Sequence, residues 1–226
     1  MPTLGLLMLQ TRFPRPPGDV GHPQTFGFEV RRKVVQGATP ERVVRGRDVA
    51  ALQPFIGAAH ALVAEGCGAI ATSCGFLAQW QRELQAALPV PVWSSALLQL
   101  AEQQGLGRRC GVITIEAASL GAAHFEGVGA DPATPVEGIT PGSPLHRTLL
   151  QDLPMLDATD AQQQVLAAAQ RLRARHADIE LLVLECTNLP PYAAALRRAT
   201  GLPVLDVVSL LTQRMAALSG DSQSTP

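Results

Sequence analysis

Two short segments of the chain carry residues that could perform chemistry, and they are built alike. Residues 70–76 read IATSCGF and residues 182–188 read LVLECTN. Each is an apolar run that ends in a cysteine and breaks into small polar residues, and each precedes a helical pattern. The sequence therefore predicts two thiols, Cys74 and Cys186, each at the end of a buried strand.

The two segments belong to a longer repeat. Cys74 and Cys186 lie 112 positions apart, and the same offset relates further identical residues that follow each cysteine. These pairs are Leu77 and Leu189, Leu84 and Leu196, Pro91 and Pro203, Val92 and Val204, and Leu98 and Leu210. The constant spacing predicts an internal duplication that supplies one thiol in each half.

A thiol between a strand and a helix lies close to backbone N–H groups and to the positive end of the helix dipole. We expect this position to lower the pKa of each thiol. If the two halves face each other, both sulfurs can reach one ligand. One thiolate can then remove a proton from a carbon while the other thiol returns a proton to its opposite face.

Small donors beside the thiols could stabilise the resulting anion. Backbone N–H groups after each cysteine could hold carboxylate oxygens, and Gly75 allows the backbone to approach closely. The side chains that we expect to contact the substrate here are Thr72, Ser73, Phe76, Thr187 and Asn188. Thr114, at the end of another predicted strand, is expected to line the same cleft.

A proline-rich segment, residues 11–27, leaves the carboxyl end of the first strand, where open α/β sheets bind ligands. Thr11 and Arg12 are therefore candidate substrate-binding residues, and Arg12 or Arg15 could meet a carboxylate. The alternative is that these arginines are solvated loop residues. Glu185 could orient a thiol or a loop, or be a paired structural acid.

Composition restricts the class of protein. The 226 residues are 46% hydrophobic and carry a net charge of −1, which gives no electrostatic case for nucleic acid or an anionic membrane surface. No apolar run approaches the roughly 20 residues that span a bilayer. The N-terminus lacks the pattern of a signal peptide, so a cytoplasmic enzyme with reduced thiols is expected.

Other catalytic groups are disfavoured. The single lysine, Lys33, lies in a basic run far from both motifs, which disfavours a pyridoxal phosphate enzyme. No histidine stands at zinc-ligand spacing from a cysteine. Cys67 and Cys110 do not follow the repeat and are predicted to be core residues.

Strands alternate with helices along the chain, which predicts an α/β fold with parallel sheets in two similar lobes and a cleft between them. The first lobe is predicted over residues 1–105 and the second over 106–206. The helix at 207–218 is expected to pack back on the first lobe, and residues 219–226 form a polar tail. Predicted strands include 4–9, 28–35, 69–72, 91–93, 109–115, 136–139, 180–184 and 203–205. Predicted helices begin near Pro40 and Asp48 and cover 76–88, 95–104, 117–125, 160–175 and 192–199.

These residues resemble the aspartate/glutamate/hydantoin racemase superfamily, whose members use two cysteines and no cofactor. The most specific match is Cys186-Thr187, because the second half of those enzymes carries a Cys-Thr pair after a strand. The first half commonly reads Cys-Asn-Thr there, whereas this chain has Cys74-Gly75-Phe76. Glu185 stands where glycine is usual before the second cysteine.

The resemblance implies two Rossmann-like lobes, Cys74 and Cys186 as catalytic acid/bases, no metal or other cofactor, and a homodimer. The expected function is a racemase or epimerase of a small α-amino acid or related carboxylate. A cis-dicarboxylate isomerase or a malonate-type decarboxylase on the same scaffold is an alternative. A non-catalytic small-molecule sensor is a third hypothesis.

Overall fold

The computed structural model describes residues 2–46 and 52–221, without the side chain of residue 221. The predicted helix start at Asp48 and the end of the predicted tail lie outside these residues. The strands are β1 (Thr3–Met8), β2 (Val30–Val34), β3 (Cys67–Thr72), β4 (Val92–Trp93), β5 (Cys110–Thr114), β6 (Val136–Gly138), β7 (Leu181–Leu184) and β8 (Val204–Leu205). The helices are α1 (Pro40–Arg45), α2 (Gln53–Ala64), α3 (Gln81–Ala86), α4 (Leu97–Gly105), α5 (Ala122–Val128), α6 (Pro144–Leu150), α7 (Ala158–Arg175), α8 (Ala193–Thr200) and α9 (Val207–Asp221).

The strands form two four-stranded parallel sheets with the same order. The first sheet runs β2-β1-β3-β4 and the second runs β6-β5-β7-β8. The central strands are apolar on both faces and buried, as expected when helices cover both sides of a parallel sheet. The predicted α/β fold with parallel sheets is therefore confirmed.

The central strands deliver the two thiols. Strand β3 ends two residues before Cys74, and β7 ends two residues before Cys186. Each of these strands pairs with the first strand of its own sheet, β1 or β5. Both cysteines therefore follow the carboxyl end of the third strand in the order of their own sheet.

The helix predicted at 76–88 is divided. Residues Gly75–Trp80 form a 3-10 helix, and α3 follows it. This turn is packed from two sides, because the space beside Gly75 is filled by Glu185 and the space beside Gly127 of α5 is filled by the carbonyl of Ala78. Close packing on both sides favours the tighter 3-10 path.

The last helix contacts α4, which the sequence assigns to the first lobe. The Gln99 side-chain amide donates to the Asp206 carbonyl at 2.8 Å, and Ser209 donates to Gln99 at 3.3 Å. Helix α9 continues to Asp221, three residues beyond its predicted end. The boundary between the lobes remains a prediction.

Cys67 and Cys110 begin β3 and β5 and are buried, and each is a free cysteine. Within the described ranges, no helix combines the length and apolar character that crossing a bilayer requires.

Candidate active site

Cys74 and Cys186 line one small cavity. Its volume of about 30 Å³ gives room for roughly two water molecules. The remaining wall consists mainly of apolar side chains: Leu9, Phe13, Pro40, Val44, Phe76, Ile115, Leu149 and Leu150. Its polar members are Ser73, Thr187 and Asn188, with the backbone of Gly75, and no charged side chain of the described residues is among them.

A direct hydrogen bond joins the two cysteine-bearing turns. The Thr187 hydroxyl donates to the Ser73 carbonyl at 2.7 Å, and both groups are buried. The Ser73 hydroxyl accepts the Leu9 N–H at 2.9 Å, which ties the first turn to the end of β1. The two thiols are therefore held on a rigid frame that spans both sheets.

Thr72 and Thr114 support this frame from behind the cavity wall. The Thr72 hydroxyl donates to the carbonyls of Cys74 at 3.0 Å and Ser94 at 2.7 Å. The Thr114 hydroxyl donates to Glu185 at 2.6 Å. Both threonines are fully buried, and neither lines the cavity.

The prediction that the thiols have lowered pKa values is wrong. Burial, and next the charge of Glu185, raises the pKa of Cys74 to about 12. Burial and then Glu185 also raise the pKa of Cys186 well above its ordinary value, with smaller contributions from Cys74 and Asp19. Desolvation raises the thiol pKa by more than the helix dipole lowers it, because only short 3-10 turns follow the cysteines and these provide little dipole.

Each thiol nevertheless has a backbone donor at the same relative position. The Phe76 N–H interacts with Cys74 and lowers its pKa, and the Asn188 N–H does the same for Cys186, although burial remains the larger effect on both. Phe76 and Asn188 are two residues after their cysteines and are related by the offset of the repeat. The duplication therefore preserves a thiolate-stabilising contact at both sulfurs.

The proline-rich segment reaches the second thiol through a polar chain. Asn188 donates to Asp19 at 2.7 Å, and the Cys186 sulfur lies 3.7 Å from the Asn188 side-chain oxygen. Asp19 is buried and forms an ion pair with Arg15 at 2.8 Å. Arg15 also donates to the Thr11 hydroxyl at 3.1 Å, so Thr11 fixes this arginine and does not line the cavity.

Arg12 lies outside the cavity wall. Its side chain is 75% exposed and pairs with Asp152 at 3.2 Å. Asp152 also accepts the backbone N–H groups of Arg12 at 2.5 Å and Phe13 at 3.1 Å. This contact fastens the segment carrying Phe13 to the turn after α6.

The sequence pattern does not predict the apolar side chains that line the cavity opposite the thiol-bearing turns. Leu149 and Leu150 lie on α6, a helix that the sequence pattern does not predict. Ser143 followed by Pro144 is a helix-start signal that could have located it. Phe13 lies in the proline-rich segment, and its sequence neighbours do not mark it as a cavity residue. Only the fold brings it to the same cavity as Leu149 and Leu150.

A family model for "Asp/Glu/Hydantoin racemase" matches residues 93–215, which is more than half of the chain. Dimethylsulfoniopropionate lyase from Durusdinium sp. clade D is 30% identical over 226 residues, covering 91% of this chain and 71% of that protein. Dimethylsulfoniopropionate lyase 5 from Emiliania huxleyi is 30% identical over 225 residues and 93% of this chain. The chain spans only 44% of that second relative.

Solved structures share the fold at low sequence identity. Glutamate racemase isoform RacE1 from Bacillus anthracis gives a TM-score of 0.62 at 16% identity, covering 98% of this chain and 82% of that one. Unliganded arylmalonate decarboxylase gives a TM-score of 0.62 at 16% identity, covering 97% and 93%. The resemblance drawn from the sequence is confirmed, and this chain belongs to the Asp/Glu/hydantoin racemase family.

Proposed function

We propose that this protein is a cofactor-independent lyase that removes a proton from the carbon next to a carboxylate and expels a β-sulfonium group. Its substrate class is dimethylsulfoniopropionate and close analogues. The observation that carries the proposal is the cavity itself, where two thiols lie in a largely apolar wall without a charged side chain among the described residues.

The proposed reaction needs one base and no acid at the leaving group. A thiolate, Cys74 or Cys186, takes a proton from the carbon α to the carboxylate. The electrons of that C–H bond form the new double bond, and the β C–S bond breaks with its electron pair going to sulfur. The products are acrylate, neutral dimethyl sulfide and the proton held by the thiol.

The wall suits a sulfonium better than an ammonium group. A sulfonium that carries two methyl groups has no N–H donors, and it suits a wall of apolar side chains that includes Phe13 and Phe76. The cavity is smaller than this substrate, so binding would require its wall to open. An α-ammonium group would need several acceptors, and no Asp or Glu among the described residues lines the cavity. The Ser73 hydroxyl and the second N–H of the Asn188 amide are available to hold the carboxylate, because the Thr187 hydroxyl already donates to the Ser73 carbonyl.

The relatives support the same substrate class. The dimethylsulfoniopropionate lyases reported above match more than nine-tenths of this chain at 30% identity. Proton removal α to a carboxylate would be shared with the family's racemases. The change of reaction would therefore lie in the leaving group and not in the thiols.

Racemisation of a small amino acid is the second candidate. The observation that favours it is the pair of thiols with matched backbone donors, since inversion needs a base and an acid and elimination needs only the base. The dicarboxylate isomerase and malonate decarboxylase alternatives have no comparable support, because the described residues of the wall offer no charged group for a second carboxylate.

The test is a substrate panel on the purified protein. Dimethylsulfoniopropionate is incubated with the protein, and dimethyl sulfide in the headspace and acrylate in solution are measured. Enantiopure aspartate, glutamate and hydantoins are incubated in heavy water and read by α-proton exchange. Equimolar dimethyl sulfide and acrylate support the lyase, whereas α-exchange of an amino acid without dimethyl sulfide release refutes it and favours racemisation.

Homodimer formation, a cytoplasmic location and the absence of a cofactor remain predictions from the sequence and its resemblance.

A further inference from the structure

Asp19 is a buried carboxylate of the proline-rich segment that the proposed reaction does not use. Its Oδ1 accepts the Arg15 guanidinium at 2.8 Å and the Gly21 N–H at 2.7 Å. Its Oδ2 accepts the side-chain amide of Asn188 at 2.7 Å. A carboxylate has acceptors and no donor, so only the NH2 group of the Asn188 amide can face it.

The orientation of the Asn188 amide decides what Cys186 meets. Because the NH2 group faces Asp19, the amide oxygen faces the other way, and the Cys186 sulfur lies 3.7 Å from it as an S–H donor. An amide oxygen can only accept a hydrogen bond. This contact therefore stabilises the neutral thiol of Cys186 and is lost when the thiol ionises.

The segment that carries Asp19 is held against the second cysteine turn by its backbone as well. The Val20 N–H donates to the Thr187 carbonyl at 3.5 Å. On the other side of Asp19, a Cβ added at Gly18 would lie 3.2 Å from the Cα of Pro191. These contacts on both sides hold the carboxylate in place behind Asn188.

The first thiol has no equivalent of this arrangement. Phe76 stands at the position related to Asn188 by the repeat, and its side chain has no oxygen that could accept an S–H. The backbone N–H groups of Phe76 and Asn188 act on their thiols alike. The two sulfurs therefore differ in one side-chain acceptor, which only Cys186 has.

We propose that Asp19 is a positioning residue, which fixes the Asn188 amide with its oxygen toward Cys186 and so holds that thiol in its protonated form. Cys74 is then the thiol that ionises more readily. Asp19 does not line the cavity and acts only through Asn188. The role belongs to the free protein, so it does not depend on which of the two candidate reactions the site performs.

Several charged groups act on Cys186, and the test has to separate them from the amide. After burial, the charges that raise the pKa of Cys186 are those of Glu185, Cys74 and Asp19. Burial, with contributions from Asp19 and Cys186, also raises the pKa of Tyr192 to about 12, so this phenol is neutral near physiological pH. Removing the charge of Asp19 would by itself favour the Cys186 thiolate.

Asp19→Asn is expected to reverse the Asn188 amide. Two donors, from Arg15 and Gly21, meet the Oδ1 side of Asp19, so the new side chain should keep its oxygen there and turn its NH2 group toward Asn188. The Asn188 amide then presents its oxygen to that NH2 group and its own NH2 group to Cys186. A donor at the sulfur stabilises the thiolate, where the wild type has an acceptor.

The measurement is the initial rate of iodoacetamide alkylation at Cys186 relative to Cys74, resolved by mass spectrometry, without substrate, at about pH 8. Cys74 is an internal reference for access, because both thiols line one cavity. Cys74 is expected to react faster in the wild type. Asp19→Asn should raise the Cys186 to Cys74 ratio by about threefold or more, since each pKa unit raises the thiolate fraction but lowers its nucleophilicity.

A double-mutant cycle separates orientation from charge. In an Asn188→Ala background, Asp19→Asn removes the charge and has no amide to reverse. The rise in the ratio should therefore be about threefold smaller in that background. Asp178→Asn is the matched control, because Asp178 is an exposed acid, and it should keep the wild-type ratio.

Three outcomes would overturn the role of Asp19. Asp19→Asn with an unchanged ratio would mean that the amide is not held by the carboxylate. An equal rise with and without Asn188 would mean that Asp19 acts through its charge alone. A wild type in which Cys186 reacts faster than Cys74 would mean that Cys186 is not held protonated.

If Asp19→Asn does not fold, Asn188→Leu decides. Leucine has nearly the volume of asparagine and no acceptor, so the ratio is expected to rise while Cys186 stays buried, and an unchanged ratio overturns the proposal. If the wild type releases no dimethyl sulfide but the alkylation ratios behave as expected, the proposed function fails and the role of Asp19 stands. Dimethyl sulfide release with unmoved ratios gives the reverse conclusion.

Discussion

Replacing Gly75 by alanine tests the close contact between the two cysteine turns. The added Cβ would approach the Glu185 carbonyl and Oε1 well inside 3.0 Å, a distance that real Cβ atoms do not keep. The carbonyl belongs to the backbone that leads into Cys186, so it cannot move aside without shifting that turn. The sequence predicts that Gly75 allows the backbone to approach a neighbour closely, and in the structure this neighbour is Glu185.

The expected cost is that of overpacking a core, about 1–3 kcal/mol. For a protein of this size, 1 kcal/mol corresponds to roughly 2–4 °C in Tm, so Gly75→Ala should melt about 2–12 °C below the wild type. The variant should also lose most of its activity while folded, because both thiols are displaced.

Gly57→Ala is a matched control that is expected to raise stability where Gly75→Ala lowers it. Gly57 is exposed within α2, and its added Cβ would meet nothing within 4 Å. The same substitution there should stabilise the protein by about 0.5–1 kcal/mol through helix propensity. Scanning calorimetry and urea unfolding measure both variants. A Gly75→Ala variant with wild-type Tm and wild-type activity would refute the packing argument.

Two further predictions concern the contact of Asp152 with the proline-rich segment and the buried carboxyl of Glu185. Asp152→Ala should speed amide hydrogen exchange at Arg12 and Phe13, since both N–H groups lose their acceptor, whereas Asp152→Asn should retain most protection because an amide oxygen can still accept. Unchanged exchange in Asp152→Ala would contradict the inference that Asp152 holds these two N–H groups. Folding stability should also depend on Glu185, whose pKa rises from an ordinary 4.5 to about 7 in the folded state. The unfolded chain loses this proton first as pH rises, so the contribution of Glu185 to stability falls between about pH 4.5 and 7, by about 3 kcal/mol in total. Urea unfolding of Glu185→Gln should therefore show a gain over the wild type that grows across that window, and a pH-independent difference would contradict the shift.

Much of the fold followed from local pattern. The buried strands before Cys74 and Cys186 are short apolar runs, and the repeat between them indicated two matching sheets, which the structure contains. Periodicity also located α7 to within two residues of its start. These features depend on neighbours along the chain, so a single sequence is enough to predict them.

The rest of the site depends on contacts between distant residues. Asp152 binds the N–H of Arg12 across 140 positions, and neither residue type indicates its partner. The raised pKa of both thiols was missed because burial is a property of the fold, whereas the helix-start pattern is visible in sequence. Glu185 stands out in the sequence because glycine is usual at its position, but its contact with Gly75 exists only once the fold brings the two turns together.

The central claim is that a thiol of the cavity, Cys74 or Cys186, removes the proton next to the carboxylate. The most direct measurement is the rate of dimethyl sulfide release from dimethylsulfoniopropionate by Cys74→Ala and Cys186→Ala, with Cys67→Ala as the control for a buried thiol outside the cavity. Loss of the base should lower the rate by about 10²–10⁴-fold in at least one of the two cavity variants, while the control keeps wild-type activity. Wild-type turnover in both folded cavity variants would contradict the account.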